Sequence, residues 1–295
     1  MSSMRYRVNL DFVGLGDAGT AYGGYLRAWS FRDIDGRAWF EDFRQDTLSA
    51  IGNRYLPIYR MADGEYRFMF GRRINWSRVH LARELLAVGA EKLRIKNPDR
   101  WKTSWGETYA PSETRQLRDQ LMTNVRDLSE RGYLACYIND NGLDAFVEYN
   151  RVLETLLIRR GIRLHAGNYV PFHFAPSLLV SEGWRDFLQG RKILIVTGLT
   201  MEKQGRIENT LMAYGARAVR FLPISSSSSL TDRLELSRVD EDVEIALVAA
   251  GIGSANILRQ LEPLQTLCID IGGLMNCFED PKVRQHGGVL GLPAL

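Results

Sequence analysis

The feature that most constrains the fold is an alternation, from about residue 51 onward, of short apolar runs with amphipathic helical stretches bounded by glycine. Alternating elements of this kind are typical of an α/β protein with a parallel sheet covered by helices. We therefore expect one Rossmann-like, mostly parallel sheet flanked by helices. The predicted strands are 54–60, 133–138, 162–165, 192–197, 218–222, 244–249 and 266–271.

Two long helices are predicted between these strands. Segment 112–131 has leucine and valine at helical spacing, with Ser112 as its N-cap and Gly132 as its stop, and segment 143–160 shows the same spacing before Gly161. Neither segment is apolar all round, so each is expected to cover one sheet face.

The first 50 residues are different, because they are rich in glycine and aromatic residues. Asp35-Gly36 is a turn signal between two aromatic runs, which predicts a hairpin. We assign residues 1–50 to an N-terminal extension and residues 51–295 to one α/β domain.

Composition excludes several classes of protein. With 295 residues, 45% hydrophobic and 25% charged, the chain is neither disordered nor fibrous. Apolar stretches such as 245–250 are too short to span a bilayer, and the first 30 residues lack a signal-peptide core. We expect a soluble, cytoplasmic protein. The three cysteines form no CxxC pair, which indicates a reducing compartment and no zinc site.

The sharpest local pattern is Asp63-Gly64-Glu65, directly after the first predicted strand. Two carboxylates one residue apart on an extended or turning backbone can converge on Mg²⁺ or Mn²⁺, which prefer oxygen ligands. Gly64 would let the backbone approach that ligand. The alternative is an Asp-Gly turn followed by an exposed glutamate.

Other strand ends carry small and polar residues. Gly251-Ile252-Gly253-Ser254 leads from a strand into a helix, as phosphate-binding turns do, although the GxGxxG spacing is absent, as is a P-loop. Five serines from Ser225 follow another strand. By composition they read as a flexible loop, but ligands of parallel sheets bind at this edge. Asp270 lies near the end of the last predicted strand.

A basic and aromatic stretch, 67–78, is open to two interpretations. It has the composition of an RNA-binding patch, but a solvated basic face is the simpler interpretation, and the net charge of +3 points to no nucleic-acid partner. His165 and His173 lie in an apolar region, where structural histidines are more common than ligands.

Three stretches together resemble the GT-D fold glycosyltransferases. YRMADGEY at 59–66 is similar to the family's RFGDGEF segment, and IVTG at 195–198, with Gly205, Asn209 and Leu211, is similar to its VEG…GxxNDL pattern. Segments 246–251 and 269–272 resemble its LALGP…AIDIG ending. The resemblance covers about 54–70 and 190–273, with Ala62, Thr210 and Gly273 replacing family residues.

The resemblance implies a metal-dependent glycosyltransferase that uses a nucleotide-sugar donor, with UDP as the expected nucleotide, and a glycan or lipid-linked glycan as acceptor. Asp63 and Glu65 would hold Mn²⁺ or Mg²⁺, and Asp140 is the candidate general base. Arg60 and Arg206 are chosen as diphosphate contacts because a guanidinium binds phosphate with two hydrogen bonds. The remaining candidate donor-binding residues are Gly64, Gly198, Asn209, Ser225, Gly251, Gly253 and Asp270.

Two other classes of function remain open. One is a Rossmann-like methyltransferase that binds S-adenosylmethionine at Gly251 and Gly253. The other is a non-catalytic module, either an RNA-binding protein or a structural subunit of a polysaccharide machine. A lipid-linked acceptor would also be compatible with peripheral association at the inner face of a membrane.

Overall fold

The computed structural model describes residues 5–10, 27–74, 76, 80–93, 101–102, 108–136, 149, 152–180, 183–239 and 242–281. Its strands are β1 (Tyr6–Asn9), β2 (Arg27–Ser30), β3 (Leu56–Arg60), β4 (Trp101–Lys102), β5 (Thr108–Tyr109), β6 (Tyr133–Cys136), β7 (Tyr169–Pro171), β8 (Lys192–Thr197), β9 (Ala218–Pro223), β10 (Ile245–Ala249) and β11 (Leu267–Asp270). Its helices are α1 (Gly36–Ala50), α2 (Asp63–Phe70), α3 (Leu81–Lys92), α4 (Pro111–Arg131), α5 (Leu153–Ile158), α6 (Phe174–Val180), α7 (Arg185–Leu188), α8 (Met201–Ala213), α9 (Ser254–Gln260) and α10 (Met275–Glu279).

Seven strands form one sheet in the order β7-β6-β3-β11-β10-β8-β9, and every neighbouring pair is parallel. The central strands are buried along their length, as in β11, where all four residues are buried. This explains their continuous apolar sequences, since a parallel sheet is covered on both faces. The predicted α/β class and parallel sheet are confirmed.

The third predicted strand is wrong. Residues 162–165 form no strand, and β7 begins four residues later. The backbone N–H of His165 donates to Asn168 Oδ1 over 2.8 Å, and the Asn168 N–H donates to the His165 carbonyl over 3.1 Å. These bonds turn the chain before it can pair with β6. Ile162 and Leu164 are nevertheless buried, which accounts for the misleading apolar pattern.

The long helix α4 was predicted well, except at its start. It begins at Pro111, with Ala110 as its N-cap, so the predicted N-cap Ser112 lies inside the helix. Proline is favoured at the first helical position because its missing N–H would have had no partner there. Glu113 Oε2 accepts from the Ala110 N–H over 3.2 Å. Of the second predicted helix, only 152–160 and Tyr149 are described, and α5 covers 153–158.

The predicted turn at Asp35-Gly36 is also wrong, because Asp35 caps a helix. Its Oδ1 accepts from the N–H groups of Arg37 and Ala38, and α1 runs from Gly36 to Ala50. Aspartate is favoured both in turns and at helix N-caps, so the local signal was ambiguous. The hairpin that does exist in this region pairs β1 with β2.

Helix α1 packs its aromatic side chains against the sheet. The Trp39 ring lies 5.2 Å from that of Phe174, and the Phe43 ring lies 5.1 Å from that of Tyr133. Trp39, Phe40 and Phe43 thus belong to the same apolar core as the sheet. None of the described helices is long and apolar enough to cross a bilayer.

Candidate functional site

The strand order creates a natural ligand site at the carboxyl edge of the sheet. Strands β8 and β10 are neighbours, but the chain passes from β8 outward to β9 and from β10 inward to β11. Loops that leave adjacent strands in opposite directions open a crevice, and ligands of open parallel sheets bind in such crevices.

A cavity of about 200 Å³ occupies this crevice. Its lining comes from the ends of four strands, namely residues 197–199, 224–226, 249–251, 272–273 and 275–276. Gly198, Ser225 and Gly251, three of the predicted donor-binding residues, are among them. The walls combine glycine backbone and serine hydroxyls with the apolar side chains of Leu199 and Ile224.

The Asp63-Gly64-Glu65 motif forms the first turn of α2, which differs from the extended or turning backbone expected from the sequence. Gly64 packs against the Gly251–Gly253 turn, since a Cβ at Gly64 would lie 3.8 Å from Ile252 Cγ2. The motif is therefore adjacent to one wall of the cavity.

Glu65 points into the protein, where only 6% of it is exposed. Its Oε2 accepts from the Ala62 N–H over 3.0 Å, which holds the start of α2. Burial, and next the negative charge of Asp270, raise the pKa of Glu65 to about 7. Because Asp270 contributes to this shift, the structure brings together two acidic residues that are far apart in the sequence.

Asp270 ends β11 and is held by three donors. Its Oδ1 accepts from Ser254 Oγ over 3.1 Å and from the Gly272 N–H over 3.2 Å, and its Oδ2 accepts from the Arg60 N–H over 3.3 Å. Burial raises the pKa of Asp270 to about 6, although Arg60 and these hydrogen bonds act in the opposite direction. The carboxylate therefore has a fixed position beside the cavity.

Arg60 lies between an aromatic ring and the cavity lining. Its guanidinium carbon is 4.6 Å from the centroid of the Phe172 ring, and a Cβ at Gly272 would lie 3.0 Å from its Nη2. Gly272 has a φ of +44° and lines the cavity, so a glycine here leaves room for the guanidinium. Arg60 is thus the predicted diphosphate contact that reaches the site.

The five-serine loop is fixed by hydrogen bonds. The Ser225 N–H donates to Asp232 Oδ2, and Asn256 Nδ2 donates to the carbonyls of Ser229 and Asp232 over 3.0 and 2.9 Å. The flexible loop suggested by composition is therefore an ordered wall in which Ser225 and Ser226 face the cavity.

Gly253 has a packing role. A Cβ at Gly253 would overlap Ser229, so glycine is required for the close approach of the serine loop to the turn before α9. Gly251, with a φ of +54°, lines the cavity. Of the two glycines predicted to bind the donor in this turn, Gly251 therefore lines the cavity and Gly253 has a packing role.

Two predicted donor-binding residues lie away from the cavity. Arg206 Nη1 pairs with Glu202 over 2.6 Å, and its Nη2 pairs with Glu279 over 2.7 Å, which ties α8 to α10. Asn209 lies on the exposed side of α8 and does not line the cavity. Both residues were predicted to bind the donor because they follow Gly198 closely in the sequence. Helix α8 instead places them away from the end of β8. Asp140 lies outside the described residues.

Three residues beside Arg60 and Asp270 were not among the site residues predicted from the sequence. Ser254 orients Asp270, Phe172 supports Arg60, and His173 is buried near Arg60, with burial and then the charge of Arg60 lowering its pKa to about 3. Phe172 and His173 directly follow β7, a strand that the sequence misplaced. Phe68, part of the proposed RNA patch, is fully buried and cannot stack on a base.

The carboxylates fit a hard divalent cation in their chemistry. Glu65 and Asp270 offer oxygen ligands only, and a cation beside them would favour the charged forms that burial disfavours. Among the side chains that the structure describes, no group of three acidic, histidine or cysteine residues gathers in metal-binding fashion. The side chain of Asp63 is outside that set.

The fold and the site define an α/β protein with a ligand crevice at a topological switch point. Neither a protein-family model nor a curated protein matches the sequence. Two solved structures are similar to it over 79% of this chain and 82% of theirs, each with a TM-score of 0.43. One, 16% identical, is a selenomethionine-substituted domain of unknown function 1792, and the other, 14% identical, is described as that domain with a distinct glycosyltransferase fold. At these values the likeness carries no weight in the function proposed below.

Proposed function

We propose that this protein is a metal-dependent glycosyltransferase that transfers a sugar from a nucleotide-sugar, with UDP as the expected nucleotide, to a hydroxyl group of a glycan or glycolipid. The observation that carries the proposal is the cavity at the switch point, with Arg60, Glu65 and Asp270 beside it. A site for an anionic donor needs a cavity for the nucleotide and cationic groups next to it.

The size of the cavity indicates which part of the donor it holds. At about 200 Å³, it is smaller than the roughly 300 Å³ lower limit of ordinary ligand pockets. We infer that the base and ribose enter the cavity against Leu199 and Ile224. The diphosphate then lies along the sheet edge toward Arg60, whose guanidinium the Phe172 ring supports.

Glu65 and Asp270, together with Asp63, would hold the divalent cation. When bound, the cation neutralises negative charge on the departing diphosphate. Ser254 and the N–H groups of Arg60 and Gly272 keep Asp270 in one orientation, which supports such a role. Arg60 adds a fixed positive charge.

The proposal is tested by thermal unfolding with Mn²⁺ and UDP, alone and together. We expect the pair to raise the melting temperature of the wild-type protein and to have little effect on a double variant, Asp63→Asn with Glu65→Gln. Glu113→Gln is the matched control, because Glu113 also occupies the third position of a helix and accepts from the N-cap N–H. It should retain the full shift.

Donor hydrolysis assays with UDP-, GDP- and CMP-sugars then identify the nucleotide. If Mn²⁺ and UDP leave the wild-type melting temperature unchanged, or if the double variant keeps the shift, the metal and diphosphate site is wrong. A shift with S-adenosylmethionine alone would favour a methyltransferase instead.

A further inference from the structure

Helix α3 exposes leucines to solvent and turns a glutamate inward. Leu86 and Leu93 are 75% and 72% exposed, and Leu85 is 43% exposed, whereas only 6% of Glu84 is exposed. Leu93 follows the last helical residue, and its N–H donates to the Gly89 carbonyl over 2.8 Å. Leu86 and Leu93 are two turns apart and thus share one side of the helix. Surface helices normally show the opposite arrangement, with apolar residues facing the core.

The inward side of α3 explains this inversion. Glu84 Oε1 pairs with Arg72 Nη2 over 3.1 Å, and Val88, one turn later, is buried. The ion pair and Val88 attach the helix to the protein, so its leucines are not needed for that attachment. Trp76, just before the helix, is 71% exposed.

Cationic residues accompany these apolar side chains in the sequence. Arg73, Arg83 and Lys92 flank them in the sequence, and none of the three has an ion pair with another described side chain. The acidic residue of α3 whose side chain is described, Glu84, is buried and paired. The exposed side of α3 therefore combines large apolar groups with cations that form no ion pair with a described side chain.

We propose that Trp76, Leu85, Leu86 and Leu93, with Arg73, Arg83 and Lys92, form a docking surface for an anionic lipid membrane. Apolar side chains enter the boundary between headgroups and acyl chains, and nearby arginine and lysine residues are attracted to anionic headgroups. A large exposed apolar patch marks an interaction surface, and the charges select the partner. A two-fold contact between copies would place the same cations against one another, which disfavours self-association.

This surface is independent of the reaction proposed above. The test is sedimentation of the full chain with vesicles of phosphatidylcholine alone or of an equimolar mixture with phosphatidylglycerol. We expect binding to the anionic vesicles only, weakening as salt is raised. Leu86→Ser with Leu93→Ser should lower the partition coefficient about tenfold or more, because two exposed leucines lose their burial in the bilayer. Arg83→Gln with Lys92→Gln should also lower it.

Matched controls are available elsewhere on the protein. Ile158→Ser with Met201→Ser removes apolar side chains that are 50% and 81% exposed, and Arg217→Gln with Arg233→Gln removes exposed cations. Both controls should bind like the wild type. The proposal is overturned by absent binding to anionic vesicles, by equal binding of the α3 and control variants, or by a wild-type dimer that the leucine variant converts to monomer in ultracentrifugation.

Discussion

His173 is buried close enough to Arg60 for the guanidinium to affect its protonation. Burial, and next the charge of Arg60, lower the pKa of His173 to about 3. The two residues come from different strand ends, since Arg60 ends β3 and His173 follows β7. The folded protein therefore keeps an uncharged imidazole beside the cation that we assign to the diphosphate.

This relationship predicts that His173 lowers stability in mild acid, whereas Glu65 and Asp270, whose pKa values are raised by burial, increase it as they take up protons. The pKa of His173 lies below the unfolded value of about 6.5, so the unfolded chain binds the proton more tightly. The contribution of His173 to the unfolding free energy is fully present above about pH 6.5 and declines toward pH 3 as the pH falls. Between pH 7 and pH 5, we expect His173 to cost about 2 kcal/mol of unfolding free energy. Urea denaturation of the wild type and of His173→Gln at the two pH values measures the His173 contribution as the difference between the two proteins.

The control for this prediction is His165, which is exposed. His165→Gln should leave the difference between pH 7 and pH 5 unchanged, whereas His173→Gln should make the protein about 2 kcal/mol more stable at pH 5 relative to pH 7 than the wild type is, whatever its effect on stability at pH 7. An unchanged difference in the His173 variant would contradict the lowered pKa of His173.

Arg60 and Arg206 should differ in their importance for binding UDP. Arg60→Lys keeps the charge next to Asp270 but loses the planar guanidinium over Phe172, so UDP affinity should fall about tenfold or more. Arg206→Lys should leave it unchanged, because Arg206 is already paired with Glu202 and Glu279. Titration calorimetry with Mn²⁺ present measures both. Equal losses in the two variants would contradict the placement of the diphosphate at Arg60.

Replacing glycine with alanine should have opposite effects on stability at Gly198 and at Gly205. An alanine Cβ at Gly198 would lie 3.1 Å from Ser226 Cα and N and 3.2 Å from the Ile224 carbonyl oxygen, so the serine loop must move. We expect a loss of about 1 to 3 kcal/mol and weaker nucleotide binding.

Gly205 is inside α8 with nothing within 4 Å of an added Cβ. Gly205→Ala should stabilise the protein by about 0.5 to 1 kcal/mol, because alanine loses less backbone entropy in a helix. Chemical denaturation compares the two variants, and a Gly198→Ala protein as stable as Gly205→Ala would show that the loop accommodates the methyl group.

Asn256 should control the order of the serine loop. Asn256→Ala removes two hydrogen bonds to the Ser229 and Asp232 carbonyls, which should cost about 1 to 2 kcal/mol and speed amide exchange in residues 225–232. Asn53→Ala is the control, since Asn53 Nδ2 makes an exposed bond of 3.4 Å. It should change stability by less than about 0.5 kcal/mol. Hydrogen–deuterium exchange shows whether the loop opens only in the Asn256 variant.

Local patterns predicted most strands, because a buried parallel strand needs a continuous apolar run. The run that became β8 was predicted at its observed bounds, 192–197. The errors arose where one residue type is favoured in two different local structures. Asp35 caps a helix in place of forming a turn, and Asn168 turns the chain after an apolar segment that therefore pairs with no strand.

The sequence alone determined the parallel α/β architecture and which residues follow most strands of the large sheet, because both depend on periodicity and on short-range signals. It thereby placed Gly198, Ser225 and Gly251 at the cavity. Only the tertiary structure decided which strand ends are neighbours. The charge effect of Asp270 on Glu65, the support of Arg60 by Phe172 and the position of Arg206 away from the site all follow from the order β7-β6-β3-β11-β10-β8-β9 and from helix packing. Periodicity carries no information about that order, since any parallel strand presents the same apolar run.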